Sequence, residues 1–329
     1  MGFRPATRAG TKALIGLHGG SGAGKTFSAL LLARGLVGAD GLIFMADTES
    51  RRGEMYVGQN GIGDYQVQQL EAPYSSTRYS DVISDAVNHA GGQNAVLVID
   101  SMSHEWEGIG GVVSAAETIA ENNAQRYNKA WNGKVAFGDW KKPKQDHKHM
   151  VLQMLGAPIH IIVCLRSQYK SRQIDRKDFE KFGIPSTTRG NSVVTRDDFQ
   201  TPIQDANFIY EMTVHIELRN ERPGVPIIGK CPEMLLHAFP QGHKITNETG
   251  AKIAEWCNGA EKPETKRDAS AILTSLLGVI ASAATPEDLN AAIGKPKFDA
   301  AWLWLDENDK SKSDELKAAL DKKRNDLDP

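Results

Sequence analysis

A glycine-rich segment between a strand-like run and a helix-like run limits the possible folds of this chain most strongly. Residues 13–18 are largely apolar, and residues 27–37 have the composition of a buried helix. Between them, Gly19 and Gly24 bracket four residues and are followed at once by a lysine and a threonine. This order of strand, glycine loop and helix is the P-loop pattern, in which glycines let the backbone approach an anion closely. The alternative is a glycine-rich turn that fits the pattern by chance.

Two side chains of this loop have specific chemistry. Lys25 is long enough to reach the β- and γ-phosphates of a nucleoside triphosphate, and the Thr26 hydroxyl is a ligand for Mg²⁺. The positive end of the dipole of the helix that begins here favours the same anion. ATP and Mg²⁺ are therefore the expected cofactors. The predicted nucleotide-binding residues are Gly19, Gly20, Ser21, Gly22, Ala23, Gly24, Lys25 and Thr26.

A second apolar run, residues 41–46, predicts a buried parallel strand that ends in the polar segment 47–52. Open α/β sheets bind ligands at the carboxyl ends of their strands. Glu49 is therefore the candidate catalytic residue that orients and deprotonates the attacking water, while Lys25 neutralises charge on the transferred phosphoryl group. The alternative for Glu49 is a solvated turn after the strand.

Residues 96–99 are four consecutive large apolar residues, and Asp100 closes the run. This is the Walker B form, in which the carboxylate holds Mg²⁺ through its water shell, beside Thr26. Buried strands often end in aspartate by chance, so the assignment of Asp100 depends on the P-loop upstream.

A further apolar run, residues 158–165, predicts the next parallel strand and has a polar tip. A polar side chain at this edge of the sheet can sense the γ-phosphate. The sensor candidates are Ser101, Arg166 and Gln168, and the sequence does not choose between them.

The stretch 166–196 contains eight basic and three acidic residues, and its periodicity is weak. We therefore expect a long irregular loop, and such loops are usually functional or disordered. A basic loop beside the γ-phosphate is well placed to couple the nucleotide state to DNA contact, and the alternative is a solvated charged loop. The candidate DNA-binding residues are Lys170, Arg172, Arg176, Lys177, Lys181 and Arg189.

Residues 131–149 interleave aromatic residues with lysines. Such a surface can stack bases and neutralise phosphates. A helix–loop–helix connection whose tryptophans pack in the core has the same composition, and the sequence leaves both interpretations open.

The last part of the core predicts a β-hairpin. Residues 208–218 alternate as strands do, residues 220–224 have turn chemistry, and residues 225–229 return as a second strand with Lys230 at its end.

The polar segment 259–269 contains a proline and predicts a linker. The predicted organisation is then a flexible arm (1–12), an ATPase core (13–258), this linker and a small helical unit (270–329).

Composition narrows the class of protein further. The 329 residues have a formal net charge of −2, so any nucleic-acid-binding surface must be local. Three widely spaced cysteines fit a reducing cytoplasm without a disulfide framework. Because no apolar run is long enough to cross a bilayer, we expect no membrane partner.

Taken in order, the P-loop, the strand before Glu49, the strand that ends at Asp100, the strand with a polar tip and the hairpin resemble the RecA-type ATPase core. The size, linker and helical tail resemble the phage-encoded RecA-core ATPases of the Sak type, a group associated with single-strand annealing and homologous recombination. This resemblance covers residues 13–229 by motif order. It implies an α/β fold: a RecA-like P-loop NTPase core with a mainly parallel sheet, plus a small C-terminal helical unit.

The resemblance also implies roles and partners. Glu49 falls where the family has its catalytic glutamate, and the basic stretch falls where the family has its mobile DNA-binding loop. Lys230 falls near the strand from which a neighbouring subunit reaches the γ-phosphate, which makes it the trans-acting candidate. The implied partners are single-stranded DNA, further copies of the chain and a single-strand-binding protein, and the implied location is the cytoplasm of a bacterial host.

The leading hypothesis is an ATPase (a P-loop NTP hydrolase) that binds single-stranded DNA and promotes annealing or strand exchange as an oligomer. One alternative is a replication-associated ATPase, a helicase or a helicase loader. Another is a nucleotide-dependent switch that binds proteins and not DNA. A small-molecule P-loop kinase, with Arg172 or Arg176 on a lid, is a further alternative.

Overall fold

A computed structural model describes residues 10–239, 241–259 and 269–327 of the chain. The described residues up to Gly259 form one compact unit, and those from Ala269 onward form a second. The strands of the first unit are β1 (Leu14–Gly19), β2 (Leu42–Asp47), β3 (Gln66–Gln69), β4 (Ala95–Asp100), β5 (His160–Asp175), β6 (Ser192–Pro202), β7 (Val214–Leu218) and β8 (Pro226–Lys230).

The described strands form one eight-stranded sheet in the order β3-β2-β4-β5-β1-β7-β8, with β6 paired to β5. The pairs β1–β5, β1–β7, β2–β3, β2–β4 and β4–β5 are parallel, whereas β5–β6 and β7–β8 are antiparallel. The sheet is mainly parallel and is covered by helices, which confirms the predicted α/β class with a mainly parallel sheet. Parallel strands buried on both faces explain why the apolar runs that form β1, β2, β4 and the first part of β5 are continuous and not alternating.

Helices cover both faces of the sheet. The helices of this unit are α1 (Lys25–Val37), α2 (Ser76–Ala90), α3 (Ser103–Glu107), α4 (Val112–Arg126), α5 (Lys141–Gly156), α6 (Phe208–Glu211) and α7 (Asn247–Cys257). Strand β4 shows the two cores directly: Val96 and Val98 pack with α1 and α7, while Leu97 and Ile99 pack with α2 and α5. Burial on both faces fixes the register of β4 and therefore the position of Asp100 at its end.

The basic stretch 166–196 is not the irregular loop that we predicted. Strand β5 continues to Asp175, past the edge of the parallel sheet, and β6 returns antiparallel to it, with Gln168 opposite Thr201 and Asp175 opposite Ser192. We call residues 166–202 the basic hairpin. Because most of its side chains between Gln168 and Gly190 are exposed, it lacks the apolar alternation that identifies a strand.

The predicted β-hairpin of residues 208–230 is displaced at its start. Residues 208–211, which we expected to begin a strand, form the short helix α6, and the strand begins only at Val214. The ring of Phe208 is buried and packs against His147. An apolar residue occurs at position 208 because the side chain belongs to the core, and not because the position belongs to a strand. The pairing of β7 with β8 confirms the remainder of this hairpin.

The second unit is helical, as predicted. It contains α8 (Ala269–Ala281), α9 (Pro286–Ile293), α10 (Pro296–Asn308) and α11 (Lys310–Leu327). Leu276, Leu305 and Leu316 are buried together in its core. Thr285 caps α9 through its hydroxyl, which accepts a hydrogen bond from the Asp288 amide at 3.1 Å.

Most of the predicted N-terminal arm and of the predicted linker, residues 1–9 and 260–268, lies outside the described residues. Within the described ranges, no helix combines the length and apolar character needed to cross a membrane.

Candidate nucleotide-binding site

The carboxyl ends of four parallel strands meet at one edge of the sheet. Gly19 at the end of β1 is in register with Arg166 in β5, and Asp47 at the end of β2 is in register with Asp100 at the end of β4. The sheet therefore brings together the predicted P-loop, the predicted catalytic glutamate, the predicted Walker B aspartate and one predicted sensor. These groups are up to 147 positions apart in the sequence.

The P-loop has the backbone that its glycines predict. Gly22 and Gly24 have φ angles of 84° and 89°. These angles lie in the left-handed region, which residues with a Cβ atom rarely adopt. Helix α1 begins directly afterwards at Lys25. The Lys25 ammonium folds back and donates hydrogen bonds to the carbonyl oxygens of Gly19, at 3.0 Å, and Gly20, at 2.9 Å. A cation thus lies inside the loop, where the phosphates of a nucleotide are expected.

A distant turn supports the P-loop. The Asn220 side-chain amide donates to the Ser21 carbonyl, and the Gly224 amide donates to the Ala23 carbonyl at 3.0 Å. A Cβ on Gly24 would lie 3.0 Å from the Gly224 nitrogen, so this contact also limits position 24 to glycine. Sequence reasoning missed Asn220, because nothing in the sequence links residues 199 positions apart.

The Thr26 hydroxyl donates a hydrogen bond of 2.5 Å to Oδ2 of Asp100. Asp100 is buried, and burial, with the charges of Glu49 and Asp47, raises the pKa of its carboxyl to about 6, against the opposing effects of Thr26 and Lys25. The described residues contain no cluster of three His, Cys, Asp or Glu side chains that could enclose a metal. One hydroxyl and one carboxylate nevertheless fit Mg²⁺, which keeps several waters and takes few protein ligands.

A buried aspartate shapes the turn that presents Glu49. Oδ1 of Asp47 accepts a hydrogen bond of 2.6 Å from the Glu49 amide, and Oδ2 accepts one of 2.9 Å from the Gly53 amide. Between these anchors, Ser50 and Arg51 adopt left-handed φ angles of 56° and 67°. Strain of this kind persists only where neighbouring groups fix the backbone. Asp47 therefore positions Glu49 at the edge of the sheet.

Both oxygens of the Glu49 carboxylate have basic partners. Oε1 accepts hydrogen bonds from Nε and Nη2 of Arg166, at 3.1 and 2.8 Å, and Oε2 accepts one from Arg52 at 3.0 Å. Partial burial raises the pKa of Glu49, but the hydrogen bond and charge of Arg166, with the charges of Arg52 and Lys25, outweigh that effect and lower it. Glu49 is therefore ionised, and it is a weaker base than a free glutamate.

A second group of polar residues connects β2 to the segment after Asp100. The Thr48 hydroxyl accepts a hydrogen bond of 2.7 Å from the Ser101 amide and lies 2.7 Å from Nδ1 of His104. Ser101, a predicted sensor, is buried, and its hydroxyl accepts a hydrogen bond from the Ser103 amide at 3.2 Å. The Asp100–Ser101 peptide bond is cis. Neither Thr48 nor His104 is predicted from the sequence to be a site residue, because no motif assigns a role to either side chain.

The remaining predicted site residues lie farther from the P-loop. Gln168 is exposed on the basic hairpin, two residues beyond Arg166. Lys230 pairs with His215, near the beginning of β7, and its ammonium donates to the carbonyl oxygens of Tyr210 and Met212 at 2.7 and 2.6 Å. Lys230 thus lies toward the opposite end of the strand from the P-loop of its own chain.

All six candidate DNA-binding residues are exposed on the basic hairpin: Lys170, Arg172, Arg176, Lys177, Lys181 and Arg189. Arg176 also donates to the carbonyl oxygens of Gly190, at 2.9 Å, and Ser186, at 3.3 Å, and so holds the tip of the hairpin together. Arg172 and Lys181 lie over the ring of Phe182, with centroid distances of 5.9 and 5.8 Å.

Together, the sheet, the glycine loop and the contact between Thr26 and Asp100 form the arrangement that the sequence predicts for a P-loop nucleotide-binding site. No protein-family model matches the chain, and no curated protein matches its sequence. One similar solved structure is described as "Structural and biochemical analysis of a prototypical ATPase from the type III secretion system of pathogenic bacteria". It is 14% identical, the match covers 94% of this chain and 80% of that one, and the TM-score is 0.36. At this level of similarity the match assigns neither a family nor a function.

Proposed function

We propose that the chain is an ATPase that hydrolyses ATP with Mg²⁺, binds single-stranded DNA and acts in annealing or recombination. The observation that carries this proposal is the hydrogen bond between Thr26 and Asp100 at the base of the P-loop. It joins the two groups that a magnesium nucleotide requires, although they belong to different motifs, 74 positions apart.

The residues of the loop would bind and orient the triphosphate. The backbone amides of residues 20–26 and the N-terminus of α1 attract the phosphates. The Lys25 ammonium exchanges the carbonyl oxygens of Gly19 and Gly20 for phosphate oxygens, and it then neutralises charge on the transferred phosphoryl group. Mg²⁺, held by the Thr26 hydroxyl and, through water, by Asp100, would supply further neutralisation of that charge.

Glu49 is the residue assigned to the attacking water. It lies at the end of the strand next to Asp100, and its carboxylate is ionised, as a proton acceptor must be. Its contact with Arg166 reduces its basicity. Release of Arg166 would therefore make Glu49 a stronger base at the moment of hydrolysis.

Single-stranded DNA is proposed as the partner because the basic hairpin begins at this contact. Arg166 is both a partner of Glu49 and the first residue of the hairpin that carries six exposed basic side chains. A polyanion bound along the hairpin competes for Arg166 and so changes the state of Glu49. This link supports DNA-stimulated hydrolysis over a switch that binds only proteins.

Recombination or annealing rests on the resemblance to Sak-type ATPases and not on the geometry of the site. The same resemblance supports a homo-oligomer in which Lys230 of one subunit reaches the nucleotide of the next, and a single-strand-binding protein as a further partner. A replication motor or helicase loader uses the same site, and unwinding of a forked duplex without annealing would favour it.

The test is ATP hydrolysis with and without single-stranded DNA across a salt series. The wild type is compared with Lys25→Ala and with the hairpin variant Lys170→Gln/Arg172→Gln. We expect DNA to raise the rate of ATP hydrolysis by the wild type at low salt, and we expect no hydrolysis by Lys25→Ala. The hairpin variant should hydrolyse ATP at the same rate with and without DNA. Wild-type turnover that is the same with and without DNA would overturn the DNA part of the proposal and favour a protein switch or a small-molecule kinase.

A further inference from the structure

A groove lined by aromatic rings and lysines lies outside the nucleotide site and outside the basic hairpin. Its volume is about 710 Å³, within the range of roughly 300–1,000 Å³ that is usual for ligand sites. The end of α3, the turn before α5 and the first two turns of α5 form its walls. We call it the tryptophan groove, and its lining residues are Trp106, Phe137, Gly138, Trp140, Lys141, Lys144, Gln145 and Lys148.

The groove presents an aromatic surface that the fold itself leaves uncovered. The ring of Phe137 is 97% exposed. Burying such a side chain on folding stabilises a protein, and this chain instead leaves the ring in solvent. Trp106 and Trp140 are partly exposed beside it, and the ring of Trp106 packs edge-on against buried His147, with centroids 5.6 Å apart. The aromatic rings are therefore available to a partner with flat apolar faces.

Hydrogen bonds of the buried Asp139 hold the turn that carries Phe137 and Trp140 in place. Asp139 is buried, and its carboxylate accepts a hydrogen bond of 2.9 Å from the Ala136 amide and one of 2.8 Å from the Asn123 side chain on α4. This arrangement fixes the backbone of residues 136–140 against the helix. The aromatic surface is thus pre-organised, which lowers the entropy cost of binding.

The charged side chains that line the groove are all lysines. Lys141, Lys144 and Lys148 lie on one face of α5, and no lining residue of the groove is acidic among those that the structure describes. The Lys144 ammonium is 5.7 Å from the centroid of the Trp140 ring, a cation–π distance. The complementary ligand therefore combines negative charge with flat aromatic groups, which is the chemistry of an unpaired polynucleotide strand.

The position of the groove relates it to the ATPase site. Helix α3 begins three residues after Asp100 and carries Trp106 near its end. The adjacent Glu105 is completely buried, lies 3.1 Å from Nδ1 of His147 on α5, and accepts a hydrogen bond of 3.3 Å from Gln204, just after the basic hairpin. A polar network behind β4 therefore joins a residue next to the tryptophan groove, Glu105, to a residue just after the basic hairpin, Gln204.

We propose that the tryptophan groove is a second contact for single-stranded DNA, in which unpaired bases stack on Phe137, Trp140 and Trp106 while the lysines contact phosphates. This inference rests on the proposed function in one respect, the identity of the partner, and it is independent of ATP hydrolysis. It divides recognition of the strand: the hairpin contacts the phosphate backbone, whereas the groove contacts bases in addition to phosphates.

The test is equilibrium binding of a fluorescein-labelled oligothymidylate to the full chain, measured by anisotropy at low salt. The variants are Phe137→Ala, Trp140→Ala and Lys144→Gln/Lys148→Gln, and the matched aromatic control is Tyr210→Ala, because Tyr210 is 74% exposed and does not line the groove. We expect each aromatic variant to weaken binding roughly 5- to 150-fold, the effect of losing one base–aromatic stack. Tyr210→Ala should bind like the wild type.

Two further probes identify the chemistry of the site. An abasic oligomer of the same length should bind equally to the wild type and to Phe137→Ala, since it has no bases to stack, whereas the lysine variant should weaken both probes. An oligouridylate that is affected by the same variants would show that the groove accepts unpaired bases of RNA as well as DNA. Thermal unfolding of each variant checks that the fold is intact, and substitution of a ring as exposed as that of Phe137 should not alter it.

The outcomes separate this inference from the proposed function. If hairpin variants lose oligothymidylate binding while Phe137→Ala and Trp140→Ala retain wild-type affinity, the groove inference is overturned and the proposed function stands. If the wild type binds no oligonucleotide at low salt, the DNA-binding part of the proposed function is overturned together with this inference.

Discussion

The guanidinium of Arg166 donates two hydrogen bonds to one oxygen of Glu49, although the two residues are 117 positions apart in the sequence. The contact joins the residue assigned to the attacking water with the first residue of the basic hairpin. It lowers the pKa of Glu49 against the opposing effect of burial. The basicity of Glu49 therefore depends on where the hairpin holds Arg166.

The first prediction concerns the pH profile of hydrolysis. The variant Arg166→Gln lacks the guanidinium, which lowers the pKa of Glu49 more than any other group does. Burial of Glu49 remains, so the pKa of Glu49 rises. A base is inactive when protonated, so activity should be lost at a higher pH on the acid side than in the wild type. The matched control is Arg52→Gln, which removes the other, more exposed partner and should shift the acid limb less. An acid limb at the same pH in Arg166→Gln and the wild type would contradict this role.

The second prediction concerns the contact at the base of the P-loop. Thr26→Val keeps the shape of the side chain but removes the hydroxyl, so Asp100 loses a hydrogen-bonding partner and the Mg²⁺ site loses a ligand. We expect the rate of Mg²⁺-dependent hydrolysis to fall at least about 100-fold, because removing one group that stabilises charge in a transition state has an effect of this size. Thr26→Ser keeps the hydroxyl and should retain most of the activity. Equal loss in both variants would show that shape, and not the hydroxyl, is required.

The third prediction concerns the salt dependence of DNA binding. For single strands, the slope of the logarithm of the affinity against the logarithm of the salt concentration changes by about 0.7 for each phosphate contact. Lys170→Gln/Arg172→Gln should therefore flatten this slope by roughly 1.4, if each side chain contacts one phosphate. The control is Lys322→Gln/Lys323→Gln in the C-terminal unit, which should leave the slope unchanged. Weaker binding with an unchanged slope would mean that the hairpin acts on the fold and not on phosphates.

The fourth prediction concerns stability at acid pH. Burial lowers the pKa of His18 to about 3 and those of His160 and His215 to about 4, with smaller contributions from neighbouring charges. Unfolded histidines titrate near pH 6.5, so between about pH 6.5 and 4 these three histidines bind more protons in the unfolded state, and Asp100, whose raised pKa of about 6 acts in the opposite direction, offsets only part of this effect. The free energy of unfolding should therefore fall as the pH decreases through this range. Urea unfolding at pH 7 and pH 5 measures the fall.

One variant isolates a single histidine from this effect. The rings of His18 and His215 stack with centroids 4.5 Å apart, and Nε2 of His215 is buried without a hydrogen-bonding partner among the described residues. His215→Phe keeps the stacked ring and removes the titrating group. We expect stability near that of the wild type at pH 7 and a smaller loss between pH 7 and 5. A loss equal to that of the wild type would show that His215 is not responsible.

The parts of the site that the sequence predicts are those whose signals are local. The P-loop is one continuous segment, and Asp100 ends a buried strand whose composition is itself a signal. Glu49 is found in the same way, from its place after a strand. Each of these predictions uses only residues within about ten positions of the predicted residue. Over that distance, the sequence pattern follows directly from the local structure that the chemistry requires.

The parts that the sequence does not predict depend on residues that meet only in the folded chain. The support of the P-loop by Asn220 and the clamp of Glu49 by Arg166 connect residues more than one hundred positions apart. The basic hairpin was interpreted as a loop because its strands leave the sheet and bury few side chains, Ile174 among them. Without a buried face, a strand has no alternation to detect.

The measurement that tests the central claim most directly is ATP hydrolysis by the wild type and by Glu49→Gln, with ATP binding measured in parallel. Glutamine keeps the size of the side chain and can still accept a hydrogen bond from Arg166, but it cannot accept a proton from water. The account predicts nucleotide binding close to that of the wild type, and hydrolysis reduced at least about 100-fold. Hydrolysis by Glu49→Gln at the wild-type rate, or a wild type that binds ATP and does not hydrolyse it, would contradict the account.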